Sequence, residues 1–263
     1  MRTPDWPDLT RFAIALAKAA AVEILPHFRT NTEVGVKAGP VWDPVTEGDR
    51  AGEQAIRKMI EERFPEHGIH GEEYGIKESR SGFTWILDPV DGTRSFLCGM
   101  PTWATLIGLS FEGKPVVGLM NQPFVGDMFY GNPEGAWLDH RGTRREIRTR
   151  KGIGLSAATI GTTALELYRS TSGRSAFERL RQKAQLTRYS GDAYFFALMA
   201  AGHMDIAMDA ELQAYDIVPL LPIIAGAGGV YAEWTGGDAA KGGNIIAAGS
   251  QALLDEALAV MRG

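Results

Sequence analysis

Apolar positions recur with a helical period over residues 8 to 29, where Leu9, Phe12, Leu16, Ala20, Ile24 and Phe28 form one face. Asp8 could cap this helix, and Pro26 would bend or shorten it. Residues 30 to 48 are rich in Gly, Pro, Thr and Asn and predict an extended loop or short hairpin. A second helical pattern begins at Asp49 and carries Ala55, Ile56, Met59, Ile60 and Phe64 before Pro65 stops it. A short strand then runs into Gly71-Glu72-Glu73. Phe83-Thr84-Trp85-Ile86-Leu87 is aromatic and apolar, which suits a buried strand. It leads into Asp88-Pro89-Val90-Asp91-Gly92-Thr93, a turn. Strands over 103–111, 115–121 and 127–131 predict an antiparallel meander.

Residues 142 to 152 turn basic and polar, and the boundary between two halves is placed there, giving an α+β half over 1–150 and an α/β half over 151–263. The second half alternates: strand 157–161, helix 173–184, helix 192–202, strand 203–208, helix 216–227, strands 229–233 and 244–248, and a final helix 250–261.

Net charge is −5, which argues against a nucleic-acid binder relying on a basic face, and the short arginine-rich run reads as a solvated loop or exposed strand. An acidic protein can still bind phosphate if metal ions supply positive charge. Cys98 is the single cysteine, so no intrachain disulfide forms. The first residues lack a signal-peptide pattern and no apolar run is long enough to span a bilayer, which predicts a cytoplasmic protein with neither nucleic acid nor membrane as partner.

The candidate chemistry lies in carboxylates. Asp88 and Asp91 flank a proline turn at a strand end, and Gly92 permits close backbone approach. Two anions so near resist ionisation unless a divalent cation joins them. Oxygen ligands favour magnesium, manganese or calcium, and the five histidines show no zinc spacing. Alone, the hexapeptide reads equally as a solvated Asx turn. Glu72 ends another strand, Asp49 precedes a helix, and Asp216 opens an apolar one. Asp49 and Asp216 would each serve equally as helix caps.

Taken together, Trp85-Ile86-Leu87-Asp88-Pro89-Val90-Asp91-Gly92-Thr93, Gly71-Glu72-Glu73, the segment ending at Asp49, and Tyr215-Asp216 resemble the inositol monophosphatase family. The resemblance runs from about residue 9 to residue 250. It implies a layered αβαβα sandwich and a magnesium-dependent phosphate monoester hydrolase with two to three ions, manganese being an alternative. Glu72, Asp88 and the Val90 carbonyl would hold one ion; Asp88, Asp91 and Asp216 a second; Glu72, through water, a third. Thr93 and Asp49 would orient the attacking water, and the amides of Gly92 and Thr93 would cradle phosphate. Lys37 and Asp43 match polar loop positions near the metals. The implied reaction is in-line attack by a metal-bound hydroxide, without a covalent enzyme intermediate.

The C-terminal half departs from the inositol enzymes. Gly191-Asp192 stands where Gly followed by Ser or Ala is usual, and Tyr215-Asp216 where Trp-Asp is usual. These features look like the histidinol-phosphate phosphatase branch. Histidinol carries an ammonium, which Asp192 could pair, with Asp209 as a second acid and Arg188 and Gly191 as further substrate contacts. Asp192 would serve equally as an N-cap. The alternatives within the chemistry are inositol-1-monophosphatase or a broad sugar-phosphate phosphatase. The expected partner is a small phosphorylated alcohol, and the expected assembly a homodimer.

Overall fold

The computed structural model describes residues 4–30, 34–36 and 44–263. Helix α1 (Trp6–Ile24) starts at Asp5, not Asp8: the Asp5 side chain accepts the Asp8 N–H at 2.8 Å. Pro26 falls in a short 3₁₀ turn, Leu25–His27, that ends the segment. Strands β1 (Val34–Val36) and β2 (Pro44–Thr46) pair antiparallel. Helix α2 (Glu47–Arg63) follows directly, with Thr46 at its N-cap and Asp49 one turn inside.

The first sheet is built from β3 (Gly68–Gly71), β4 (Gly75–Lys77), β5 (Phe83–Asp91), and, after the short helix α3 (Thr93–Leu97), β6 (Ala104–Phe111), β7 (Lys114–Gln122), β8 (Asp127–Asn132), β9 (Gly135–His140) and β10 (Thr143–Glu146). Its order is β10-β9-β8-β7-β6-β5-β3-β4, so β6 to β10 form the expected meander extended by two strands. The basic run is the fully exposed edge strand β10 and its flanks. Arg144 lies over the Trp137 ring, and Arg148 pairs with Glu146. Charged side chains on an edge strand discourage edge-to-edge pairing with other chains.

The second sheet contains β11 (Thr159–Thr162), then, after α4 (Thr171–Lys183), β12 (Leu186–Tyr189). After α5 (Ala193–Ala200) come β13 (Ile206–Leu212), α6 (Ala214–Ile217), α7 (Leu221–Gly226), β14 (Val230–Glu233), β15 (Gly243–Ala248) and α8 (Gln251–Arg262). The order is β12-β11-β13-β15-β14. The single helix expected over 216–227 is two short ones, because Pro219 and Pro222 interrupt the N–H ladder.

Three cores define the layers. Leu16, Ile24, Ile56 and Ile60 of α1 and α2 pack on Trp85, Leu87 and Ile107 of the first sheet. Phe196 and Met199 of α5 and Ile223 and Ile224 of α7 fill the space between the two sheets, against Leu106, Met120, Ala207 and Ile245. Phe177 and Leu180 of α4 and Leu253 and Leu254 of α8 cover the outer face of the second sheet. The result is helices, sheet, helices, sheet, helices: the αβαβα sandwich. Glycines let the middle layer approach. A Cβ on Gly118 would lie 2.0 Å from the Pro219 carbonyl oxygen, and one on Gly131 2.4 Å from that of Pro222. These contacts press the chain just after Asp216 onto the sheet that carries Asp88. Among the described residues, no helix is long and apolar enough to cross a membrane.

One buried histidine yields a stability prediction. His67 stacks between Phe64 and Phe83, and its Nδ1 accepts the Trp85 indole N–H at 3.1 Å. Burial, with a smaller push from Lys77, lowers its pKa to about 4. The unfolded chain therefore binds this proton first. Stability is whole above about pH 6.5 and declines as pH falls towards 4, by on the order of 3 kcal/mol. His67→Gln, whose side-chain oxygen can still accept from Trp85, removes this dependence. Urea titrations at pH 7 and pH 4.5 are expected to show a larger drop for wild type than for the variant; equal drops would refute it.

Candidate active site

The site begins where β5 loses its register with β6. Asp88 faces Leu106 and Asp91 faces Ala104, so β5 carries one extra residue in between. Such a bulge re-aims side chains. Here both carboxylates turn towards one cleft. The Thr105 hydroxyl donates to the Pro89 carbonyl at 2.9 Å and fixes the bulge. Asp88 Oδ1 accepts the Val90 N–H at 3.0 Å. The Asx-turn reading is thus correct geometrically, and it leaves the second carboxylate oxygen of Asp88 for other partners.

Asp216 arrives from the second half. It is the third residue of α6, and its Oδ2 accepts the Gln213 N–H at 2.7 Å in a capping box. Asp88, Asp91 and Asp216 each offer an oxygen within 4.8 Å of the others. Glu72 lies alongside, with its N–H on the Leu87 carbonyl at 3.1 Å and its carboxylate close enough to Asp88 to hydrogen-bond. Burial raises the Asp88 pKa far above the usual carboxylate range, and the charges of Glu72, Asp91 and Asp216 add to it. Asp91 is raised by burial, then by Asp192 and Asp216. Burial, reinforced by Glu72, holds Asp216 at about 7. Packed this way, the acids resist ionisation; a divalent cation would reverse that balance. The donor set is all oxygen, partly buried and mutually repelling, and it suits a hard cation.

Gly92 adopts φ +77°, a left-handed conformation, and precedes the first turn of α3. Thr93 Oγ1 donates to the Val90 carbonyl at 3.2 Å. The walls of the cleft come from both halves and enclose about 430 Å³, with Glu72, Asp88, Asp91 and Asp216 on one side. Thr163, Ser190, Leu167 and Leu212 from the second half and Met100 from the first complete it.

The other sequence-predicted residues distribute unevenly. Asp192 lines the cleft at φ +46°, at the N-cap position of α5, but its side chain makes no capping bond. Asp91 caps instead: its Oδ2 accepts the Ala193 N–H at 2.9 Å. Asp192 Oδ2 accepts the Ser95 hydroxyl at 2.6 Å and the Thr102 hydroxyl at 3.5 Å. Burial raises its pKa, and these two hydroxyls and Arg94 partly offset the rise. Asp209 also lines the cleft, yet it accepts from Thr162 Oγ1 at 2.8 Å, Thr163 N at 2.8 Å and Thr163 Oγ1 at 2.7 Å. Its carboxylate mainly braces that wall, and burial lifts its pKa to about 7.

Asp49 stands behind the wall, 1% exposed, with Oδ2 accepting the N–H and hydroxyl of Thr46. Burial raises its pKa to about 6. Gly191 is buried under the Phe195 ring, which a Cβ would meet at 2.2 Å; its place is packing, not the cleft surface. Arg188 is exposed on edge strand β12, outside the cleft walls. Lys37 and Asp43 lie outside the described residues. Ser95 and Thr102 are contributors that sequence reasoning passed over. Ser95, two positions after Thr93 in a helical turn, was the discoverable one.

Fold and site together define a phosphoric monoester hydrolase acting on small phosphorylated substrates. The chain belongs to the inositol monophosphatase family, whose model matches residues 5–262. It is 35% identical over 268 residues to the bifunctional phosphatase IMPL2, chloroplastic, of Arabidopsis thaliana, covering 95% of this chain and 75% of that protein. It is 32% identical over 249 residues to the histidinol-phosphatase of Chlorobaculum parvum, covering 94% and 93%. A solved inositol monophosphatase from Zymomonas mobilis superposes with a TM-score of 0.87 at 34% identity, over 99% of this chain and 100% of that one.

Proposed function

We propose that this phosphatase hydrolyses L-histidinol phosphate, with magnesium held by Glu72, Asp88, the Val90 carbonyl, Asp91 and Asp216. The observation that carries the substrate reading is the Asp192 carboxylate. It lies in the cleft wall with Oδ2 taken by Ser95 and Thr102, which leaves Oδ1 for a cationic alcohol. A neutral polyol would gain only ordinary hydrogen bonds there; an ammonium gains a charge-assisted one. The similarity to a histidinol-phosphatase supports the same reading. The similarity to a solved inositol monophosphatase supports the competing one.

Bound magnesium supplies an acidified water and offsets the charge of the phosphoryl group. The chain supplies the rest. Gly92 and Thr93 present backbone amides to the phosphate. Thr93 is held by its bond to the Val90 carbonyl, which leaves its hydroxyl oxygen able to accept from the attacking water. Asp49 acts one step back, holding Thr46 and the start of α2 in place. Asp209 keeps Thr163 at the substrate wall. A cytoplasmic homodimer belongs to the same proposal, and sedimentation of the purified chain reads the assembly.

Phosphate release from L-histidinol phosphate and from myo-inositol 1-phosphate, with magnesium and with a chelator, tests the reading. We expect chelator-sensitive release with a clear preference for histidinol phosphate. A preference for inositol phosphate would retain the metal chemistry and overturn the substrate.

A further inference from the structure

Glu53 is a fully buried carboxylate that the site described above does not use. It projects from α2 towards the turn that follows β3. Its Oε2 accepts the Glu73 N–H at 2.8 Å, and its Oε1 accepts the Tyr74 N–H at 3.2 Å. Arg57, one helical turn on, donates Nε to the same Oε1 at 2.7 Å and reaches the Gly75 carbonyl with Nη2. On the other side of the turn, the Glu72 N–H is fixed on the Leu87 carbonyl at 3.1 Å. Glu72 is therefore pinned on both flanks, by β5 before it and by Glu53 after it.

The local sequence fits this clamp. A Cβ on Gly71 would lie 2.0 Å from Glu53 Oε1, so the carboxylate occupies the space that any larger residue would need. Burying a carboxylate is costly unless it is paired and hydrogen-bonded. The N–H groups of two successive residues and one guanidinium satisfy this one. The residue immediately before those two N–H groups is Glu72, whose side chain lines the cleft beside Asp88.

We propose that Glu53, supported by Arg57, is the positioning residue that sets Glu72 in the metal site. The inference rests on the reading of Glu72 as a metal ligand. Outer partners that orient a ligand typically contribute about 10- to 100-fold to metal affinity or activity. A residue serving stability alone would change melting without changing affinity.

The test is Mn2+ binding to the whole chain, titrated by electron paramagnetic resonance, together with melting temperature, for Glu53→Gln, Glu72→Gln and Glu233→Gln. Glu233 is the matched control. It is a buried carboxylate in the second half that accepts the N–H groups of Thr235, Gly237 and Asn244, far along the chain from the acid cluster. Glu53→Gln keeps one acceptor oxygen but must turn an amide N–H towards a donor. We expect Mn2+ dissociation constants about tenfold weaker in Glu53→Gln and weaker still in Glu72→Gln. Glu233→Gln should lower melting alone.

Unchanged affinity in Glu53→Gln beside weakened affinity in Glu72→Gln would overturn the positioning role and spare the reading of Glu72. Unchanged affinity in Glu72→Gln would overturn that reading itself. Equal weakening in Glu53→Gln and Glu233→Gln would mean general loosening and would also overturn the role. If Glu53→Gln does not fold, Arg57→Met takes its place under the same criteria. It removes the bonds to Glu53 and Gly75 and leaves Glu53 on the Glu73 and Tyr74 amides, so a smaller weakening is expected.

Discussion

Asp91→Asn is expected to lower kcat by on the order of 10³-fold, about 4 kcal/mol in the barrier, while the protein still folds. The expectation rests on the two bonds that Asp91 is in a position to make. Its carboxylate joins those of Asp88 and Asp216 within 4.8 Å, so its charge belongs to the proposed cation site. Its Oδ2 also caps α5 through the Ala193 N–H. Asparagine keeps an oxygen of the same reach, so the cap persists and the two halves stay joined. What it removes is one negative charge from a cluster in which burial and like charges already resist ionisation. In the presence of chelator, the variant should therefore melt no lower than wild type. With saturating magnesium, wild type should gain more in melting temperature than the variant. Phosphate release and thermal melting, each with magnesium and with chelator, check both halves of the statement. Near-normal turnover would remove Asp91 from the metal site.

The acid cluster was legible because its carboxylates sit at strand ends and turns, where local sequence is expressive. Asp88-Pro89-Val90-Asp91-Gly92-Thr93 announces a sharp change of direction whatever its purpose. The layers were legible for a similar reason: the helices of both halves show apolar faces, and the buried strands are continuous apolar runs. The edges were not. Strand β10 is Thr143-Arg144-Arg145-Glu146, exposed throughout, and only pairing with β9 makes it a strand. Strand β12 is likewise mostly exposed, and its pairing with β11 joins segments separated by a helix.

Capping shows the limit more sharply. Asp192 occupies an N-cap position and invites the reading that it caps. The cap comes from Asp91, 102 positions before the Ala193 N–H that it accepts, and that exchange releases Asp192 to face Ser95 and the cleft. No local pattern encodes such a swap. By contrast, the true cap of α2 was present in the sequence, as Thr46 three residues before Asp49. The reciprocal bonds of a capping box make Asp49 a partner of the cap and not the cap itself.

That swap decides how Asp192 must be tested. Removing the side chain would do two things at once. It would take away a charge, and it would strip Ser95 and Thr102 of their acceptor while opening space against Gly92, whose absent Cβ would lie 2.9 Å from the Asp192 carboxyl carbon. Asp192 holds φ +46° with ψ −146°, a strained conformation for any residue with a side chain, and alanine would lack the Ser95 bond that helps hold it there. Asp192→Asn isolates the charge. It keeps an oxygen for Ser95, and it cannot form an ion pair with an ammonium. A hydrogen bond to a charged group contributes about 1.5–3 kcal/mol. The expected result is therefore a fall of roughly 10- to 100-fold in kcat/KM for L-histidinol phosphate. The expected change for myo-inositol 1-phosphate is under about threefold, since that substrate offers no positive charge for the lost carboxylate. Steady-state kinetics on both substrates, at saturating magnesium, reads the ratio. Equal losses would assign Asp192 to bracing α3 from behind, and discrimination between alcohols would then fall to wall residues such as Thr163 and Ser190.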